Sequence, residues 1–158
     1  MKTVLLSPPY DLDALARLHA ASFADAWSAE WIGKLLVQPG TFAFMDADQT
    51  GGFVLVRVAG HEAEILTLAV APAARRRGIG LALVVAACRH AQKMGAGASF
   101  LEVGERNESA RSLYQRLGFH EVGRRRGYYQ SAGGSNEDAL IFRVEFPLST
   151  VGNGQRLD

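Results

Sequence analysis

The stretch from residue 66 to residue 89 constrains the fold most, because an apolar strand, an arginine-rich turn and an apolar helix follow one another there. It reads LTLAVAPAARRRGIGLALVVAACR. Pro72 restricts the residue before it, so the strand is expected to end near Ala71. After Gly80 the apolar run is long enough for a helix, which Gly95 can end. This order predicts a strand that leads directly into a helix N-terminus.

That junction is typical of an anion site. Free backbone N–H groups at a helix N-terminus, beside Gly78 and Gly80, can cradle a phosphate. The three arginines at positions 75–77 oppose the helix dipole unless an anion lies between them; the alternative is a solvated basic turn. No Lys-Ser or Lys-Thr pair follows the second glycine, and Leu83 stands where a dinucleotide fingerprint has Gly or Ala. The pattern therefore favours a pyrophosphate other than that of ATP or NAD.

Composition narrows the class of protein further. The 158 residues carry a formal net charge of +1 and a single cysteine, Cys88. This length suits one domain whose core needs no disulfide, and the low charge argues against a general nucleic-acid binder. The sequence contains neither an apolar run long enough to cross a bilayer nor a signal-peptide pattern. We therefore expect a cytoplasmic protein with one domain over residues 1–148 and a disordered tail over residues 149–158.

The rest of the chain alternates short strands with helices. Helices are expected from Asp11 to about Phe23, from the N-cap Ser28 to Pro39, and over Asn107–Leu117. Residues 124–138 are polar and glycine-rich and predict a long functional or mobile loop. Strands are expected over 2–6, 41–45, 52–59, 62–71, 99–103, 119–124 and 139–146. The three strands over 41–45, 52–59 and 62–71 are expected to form an antiparallel meander.

Two residues are candidates for chemistry. Glu102 is a carboxylate within the otherwise apolar strand segment 100–103, where burial would make it a stronger general base. The alternative is an edge-strand charge that opposes aggregation. Tyr114 lies on the core-facing side of its helix, and spacing alone favours a core tyrosine there. The four histidines show no metal-ligand spacing and are assigned no role.

Several motifs resemble one known family. The segment at 75–80, Arg-Arg-Arg-Gly-Ile-Gly, resembles the Arg/Gln-x-x-Gly-x-Gly/Ala signature of the GNAT N-acetyltransferases. Residues 107–119 resemble that family's Asn-x-x-Ala-x-x-Leu-Tyr-x-x-x-Gly-Phe segment. More narrowly, Leu101-Glu102-Val103, Gly127-Tyr128-Tyr129 and Glu137-Asp138-Ala139 are similar to the ribosomal-protein-alanine N-acetyltransferases, and Trp27-Ser28 resembles their Pro-Trp-Ser. The sequence departs from these patterns at Arg75, at Ala26 and at Gly127, where members have Gln, Pro and Asn.

The resemblance implies a fold and an activity. The fold would be a single GNAT-like α/β domain, with a mixed and mostly antiparallel sheet of about seven strands, flanked by about four helices and splayed in the middle to admit CoA. The activity would be direct transfer of an acetyl group from acetyl-CoA, without metal, to the N-terminal α-amine of a protein or peptide of the Ala or Ser type. A ribosomal protein is the expected acceptor. We expect a monomer or weak dimer without direct contact to nucleic acid or membrane.

The resemblance also assigns roles to residues. Glu102 would be the general base, and Tyr114 would protonate the departing thiolate. Substrate contacts are expected from Trp27, Tyr128, Glu137 and Asp138, whereas Tyr129 is expected to pack down. Acetyl-CoA is expected to contact Leu68, Ala69, Val70, Arg75, Arg76, Arg77, Gly78, Ile79, Gly80, Leu81 and Asn107.

Three other functions stay open at this point. The acceptor could be a small amine such as a polyamine or an antibiotic, which an unusually acidic cleft would support. The protein could be a CoA-binding sensor or adaptor without catalysis, which the presence of both Glu102 and Tyr114 disfavours. A nucleic-acid-binding module is the third, and it predicts binding with a steep salt dependence.

Overall fold

Seven strands form one sheet in the computed structural model, which describes residues 2–49, 51–130 and 136–148. In chain order the strands are β1 (Thr3–Leu5), β2 (Thr41–Asp46), β3 (Gly52–Ala59), β4 (Glu62–Val70), β5 (Ala98–Gly104), β6 (His120–Gln130) and β7 (Asn136–Glu145). The described residues also form four α-helices: α1 (Leu12–Ser22), α2 (Ala29–Leu36), α3 (Ile79–Lys93) and α4 (Glu108–Arg116). The expected mixed sheet with about seven strands and four helices is therefore confirmed.

Three of the helices begin at side-chain caps. Asp11 Oδ1 accepts a hydrogen bond from the Ala14 N–H at 3.0 Å, and Ser28 Oγ accepts one from the Trp31 N–H at 3.1 Å. Asn107 Oδ1 does the same for α4. These caps satisfy N–H groups that a helix start leaves unpaired. Helix α3 differs, because its N-cap is Gly78 and carries no side-chain cap.

The sheet has the order β1-β2-β3-β4-β5-β7-β6 and one parallel pair. Strands β2 to β4 form the predicted antiparallel meander, and β1 pairs antiparallel with β2. The parallel pair, β4 with β5, is in register only from Glu62 opposite Ala98 to Glu64 opposite Phe100. Beyond that point β4 and β5 no longer pair, so the sheet is open in its middle.

Alternating side chains fill a core on each face of the sheet. Along β3, Val54 and Val56 belong to the cluster that contains the buried residues of α3 and α4. Phe53 and Leu55 belong to the cluster that contains the buried residues of α1 and α2. Cys88 of α3 is buried, and burial raises the pKa of its thiol to about 12.

The predicted loop over residues 124–138 is wrong for its described parts. Strand β6 continues to Gln130 and β7 begins at Asn136, whereas residues 131–135 and the predicted tail at 149–158 lie outside the described residues. The pairing of β6 with β7 is irregular between Glu121 and Gly123 and again between Arg125 and Tyr129. Because β6 lies at the sheet edge, it tolerates polar residues and bulges that leave no alternating pattern.

None of the helices in the described ranges is both long enough and apolar enough to cross a membrane.

Candidate active site

The opening between β4 and β5 leads into a cavity of about 500 Å³. Residues of α1, the α1–α2 connection, β4, β5, α4, β6 and β7 line it. Glu102 and Tyr114 are both among them. The structure thus brings together the two residues that the sequence analysis had selected for chemistry.

Glu102 and Tyr114 enter the cavity from opposite faces of the sheet. The neighbours of Glu102 in β5, Leu101 and Val103, are buried with the residues of α3 and α4. Since successive side chains of a strand point to opposite faces, Glu102 points to the face that carries α1 and α2. Tyr114 belongs to α4 on the other face. The open sheet therefore lets both residues reach one cavity.

Glu102 is neither buried nor on an edge strand, because β5 lies between β4 and β7. Its side chain is 32% exposed, because the open sheet leaves this face of β5 uncovered. Glu102 Oε1 lies 3.4 Å from Nε of Arg125, whose side chain is 55% exposed. An ion pair this accessible is screened by water and contributes little to stability.

Tyr114 is a buried hydroxyl donor. It is 6% exposed, and its ring lies 5.5 Å from that of Phe119. Burial raises the pKa of the Tyr114 hydroxyl well above its usual value, so the group keeps its proton at neutral pH. It can therefore donate a hydrogen bond to a ligand in the cavity.

The arginine-glycine turn has the form of an anion cradle. Arg76 and Gly78 have left-handed backbones, with φ of +64° and +80°. Within the described residues, the N–H groups of Arg76, Arg77 and Gly78 donate to no protein atom, and the first turn of α3 adds its own unpaired N–H groups. A Cβ on Gly78 would meet nothing within 4 Å, so a ligand has room beside it.

Arg75 is the exception in this turn. Its N–H donates to the Pro72 carbonyl at 3.4 Å, and its Nε donates to the Val70 carbonyl at 3.1 Å. The backbone cradle therefore consists of residues 76–81. Arg75 instead joins the turn to the end of β4.

The end of β4 offers main-chain donors to the opening. The N–H of Ala71 donates to the Gly51 carbonyl beside β3. Because N–H directions alternate along a strand, those of Leu68 and Val70 point away from β3, towards the opening, while that of Ala69 points to β3. An extended ligand could pair with β4 at these two residues. Asn107, the N-cap of α4, lines the same cavity.

The predicted substrate residues are divided between the cavity and its surroundings. Trp27 and Glu137 line it, and Glu137 Oε1 accepts a hydrogen bond from the Arg106 N–H at 2.7 Å. Asp138 does not line the cavity. Its carboxylate accepts hydrogen bonds from the Gly127 N–H at 2.8 Å and from Arg124 at 3.0 Å, and both lower the pKa of Asp138.

The two adjacent tyrosines have positions opposite to those expected. Tyr128 is 54% exposed outside the cavity, where the Arg125 guanidinium lies 5.2 Å from the centre of its ring. Tyr129 lines the cavity, and burial together with the charge of Glu102 raises its pKa. The sequence pattern predicts a loop at these positions and therefore does not reveal this arrangement. In a strand, neighbouring side chains point to opposite faces.

His19 and Phe23 also line the cavity, and the sequence analysis gave neither a role there. Helical spacing marks both as apolar-face residues of α1, and nothing in that spacing signals a cavity. Among the residues that the structure describes, no group of three or more His, Cys, Asp or Glu side chains could hold a metal ion.

Comparisons with known proteins identify relatives of the chain. Residues 9–119 match the family model described as "Acetyltransferase (GNAT) family". The ribosomal protein bS18-alanine N-acetyltransferase of Salmonella typhimurium is 31% identical over 94% of this chain and 99% of its own length. The crystal structure of the ribosomal-protein-S18-alanine N-acetyltransferase from Escherichia coli has a TM-score of 0.81 at 29% identity, covering 98% of this chain and 99% of that one. Arabidopsis thaliana NAA60 in complex with acetyl-CoA shares the fold, with a TM-score of 0.76 at 22% identity over 92% of this chain and 99% of that one.

Proposed function

The chain belongs to the acetyltransferase (GNAT) family, and we propose that it transfers the acetyl group of acetyl-CoA to the N-terminal α-amine of a protein. The acceptor that we propose is a ribosomal protein whose first residue is Ala or Ser. The observation that carries the proposal is the cavity in the open sheet, which both Glu102 and Tyr114 line. The names of the relatives from Salmonella and Escherichia coli support the choice of acceptor.

The cradle at residues 76–81 fits the pyrophosphate of acetyl-CoA, because its N–H groups are unpaired and Gly78 leaves space beside them. The N–H groups of Leu68 and Val70 would hold the extended pantetheine arm as an additional strand would be held. The thioester at the end of this arm supplies the acetyl group. This arrangement directs the thioester into the cavity from the side of α3 and α4.

On the other face of the sheet, Glu102 would accept a proton from the acceptor amine, directly or through a water. An α-amino group has a pKa of about 8, so an appreciable fraction is already neutral near pH 7.5. A strong base is therefore not required, and an accessible carboxylate can remove the proton. Glu137, held by the Arg106 N–H, would attract the ammonium form into the cavity.

The neutral amine then attacks the thioester carbonyl and forms the new C–N bond. Its nitrogen loses a proton to Glu102 or to water, and the C–S bond then breaks to release the thiolate. A backbone N–H near Val70 would stabilise the oxyanion between these two events. Tyr114 would donate a hydrogen bond to the departing thiolate. A thiol has a pKa of about 8.5, whereas burial raises the pKa of Tyr114. The proton therefore stays on the tyrosine, and its hydrogen bond stabilises the thiolate.

The test is acetyl-CoA turnover, read as released thiol, with short peptides that differ only in their first residue and with a set of polyamines. We expect turnover with peptides that begin with Ala or Ser. Turnover with polyamines alone would contradict the acceptor and leave the chemistry intact. Tight acetyl-CoA binding without any turnover would contradict the enzyme.

A further inference from the structure

His19 combines deep burial with a place in the cavity wall. It is 3% exposed and lines the cavity from α1. Its ring stacks against Phe23, with centroids 4.5 Å apart, and against Trp27, with centroids 4.8 Å apart. Stacking on two rings fixes the plane of the imidazole, so its edge is the part that can meet a ligand.

One nitrogen of this imidazole is already engaged. Nδ1 accepts a hydrogen bond from the Trp27 N–H at 3.0 Å, so it carries no proton. In the neutral ring the proton is then on Nε2. Burial lowers the pKa of His19, which favours this neutral form at physiological pH.

The other nitrogen has no hydrogen-bond partner among the described residues. Nε2 of His19 makes no hydrogen bond to any described residue, and the buried side-chain atoms without a partner in the described ranges are Thr41 Oγ1, Ser99 Oγ and Arg111 Nε. Nε2 is not among these atoms and therefore keeps accessible surface; because His19 lines the cavity, we infer that this surface lies on the cavity side. On this face of the sheet, His19 thus contributes one N–H donor with a fixed direction.

We propose that His19 positions the acceptor, its Nε2–H donating a hydrogen bond to a backbone carbonyl oxygen next to the acceptor's N-terminus. The inference rests on the proposed function, since it concerns the peptide of that reaction. A backbone carbonyl is the hydrogen-bond acceptor that every peptide offers regardless of sequence. The donor also matches its surroundings, because the carboxylates of Glu102 and Glu137 in the same cavity attract the ammonium and leave the carbonyl to His19.

The position of His19 agrees with the side from which the acceptor approaches. Its ring lies 6.4 Å from that of Phe53, which belongs to the cluster of α1 and α2. Glu102 points to the same face of the sheet, whereas Tyr114 lies on the other. His19 and the base would therefore contact the acceptor, and Tyr114 the thioester.

The substitution His19→Asn tests the two ring nitrogens independently of each other. The Asn Oδ1 can replace Nδ1 as the acceptor for the Trp27 N–H, whereas the Nε2 donor is lost. His90→Asn is the matched control, because the His90 ring packs at 4.5 Å against that of Phe42 on α3's side of the sheet and does not line the cavity. A hydrogen bond between neutral groups predicts a rise of about tenfold in the KM for the peptide with His19→Asn.

The experiment measures kcat and both KM values for the wild type and the two variants with an Ala-initiated peptide. We expect His19→Asn to raise the KM for the peptide and leave that for acetyl-CoA unchanged, and His90→Asn to change neither. An unchanged KM for the peptide, or an equal rise in both KM values, would overturn the inference and leave the proposed function standing. A wild type that acetylates no peptide would overturn both.

A second measurement does not depend on a folded variant. Nitrogen-15 NMR of the imidazole of the wild-type protein reports which ring nitrogen carries the proton. We expect Nε2 to be protonated and its resonance to shift when peptide is added in the presence of CoA. A proton on Nδ1, or an Nε2 resonance that ignores the peptide, would overturn the inference.

Discussion

At the scale of single residues, the surroundings of Glu102 and Tyr114 explain the chemistry that we propose for them better than their residue types do. Glu102 is accessible, so an amine or a water molecule can reach its carboxylate. Tyr114 is buried and keeps its proton because burial raises its pKa. The two groups differ because Glu102 lies on the uncovered face of β5, whereas Tyr114 lies on the core-facing side of α4.

The catalytic pair gives the first prediction. We expect Glu102→Gln and Tyr114→Phe each to lower kcat by roughly a hundredfold or more, since each removes one proton acceptor or donor without changing shape. The measurement is steady-state turnover with an Ala-initiated peptide. Glu105→Gln and Tyr10→Phe are matched controls, because neither residue lines the cavity, and both should keep wild-type turnover. Full activity in Glu102→Gln or Tyr114→Phe would remove that residue from the mechanism.

The histidines give a prediction about pH. Burial lowers the pKa of His19, and burial with the charge of Lys93 lowers that of His90. The unfolded chain therefore binds protons first, near a pKa of about 6.5, and the folded state loses stability as the pH falls below that value. Asp138 has a lowered pKa, so its contribution is lost only at still lower pH, below its ordinary value of 3.8.

We therefore expect the melting temperature to fall between pH 7.5 and pH 5.5, and to fall less in His90→Asn. Thermal unfolding followed by circular dichroism at both pH values measures this. A melting temperature that stays constant or rises on acidification would show that neither histidine is held neutral by the fold.

At the scale of elements, the turn before α3 combines an unusual backbone with an unusual helix start. Arg76 adopts a left-handed conformation that costs a residue with a side chain roughly 1–2 kcal/mol. Helix α3 begins without a side-chain cap. Both features occur where N–H groups are left without a protein partner. Unpaired N–H groups lower the stability of the fold, but an anion cradle requires them.

Gly78 tests this element against a matched glycine. Gly78 and Gly60 have φ of +80° and +61°, and a Cβ on either would meet nothing within 4 Å. Replacing either by Ala should therefore lower the free energy of unfolding by a similar roughly 1–2 kcal/mol. We expect only Gly78→Ala to raise the KM for acetyl-CoA, by about tenfold, because its Cβ would occupy the space beside the cradle. Equal KM values in the two variants would contradict the cradle.

The helices and strands are predicted well from the sequence wherever a local physical signal marks where they begin or end. Asp11, Ser28 and Asn107 mark helix starts because their side chains bond to N–H groups three residues on. Prediction failed at β6, because an edge strand with bulges carries no alternation for the pattern to reveal. That error also exchanged the positions of Tyr128 and Tyr129, since only a strand sends neighbours to opposite faces.

At the scale of the whole molecule, the candidate site depends on contacts that are distant in sequence. The cavity joins α1, β4, β5 and α4, and it exists because β4 and β5 pair only near their first residues. Motif resemblance predicted the open sheet and the residues of the cradle. It did not predict that Glu102 is accessible or that His19 lines the wall, because both follow from how elements pack.

The most direct test of the account is the position of the acetyl group on a peptide that offers two amines. An Ala-initiated peptide with one internal lysine is incubated with the protein and acetyl-CoA, and the product is sequenced by tandem mass spectrometry. We predict acetylation of the N-terminal α-amine alone, since an appreciable fraction of it is neutral near pH 7.5, whereas the lysine amine is almost entirely protonated. Acetylation of the lysine side chain, or no acetylation, would contradict the account.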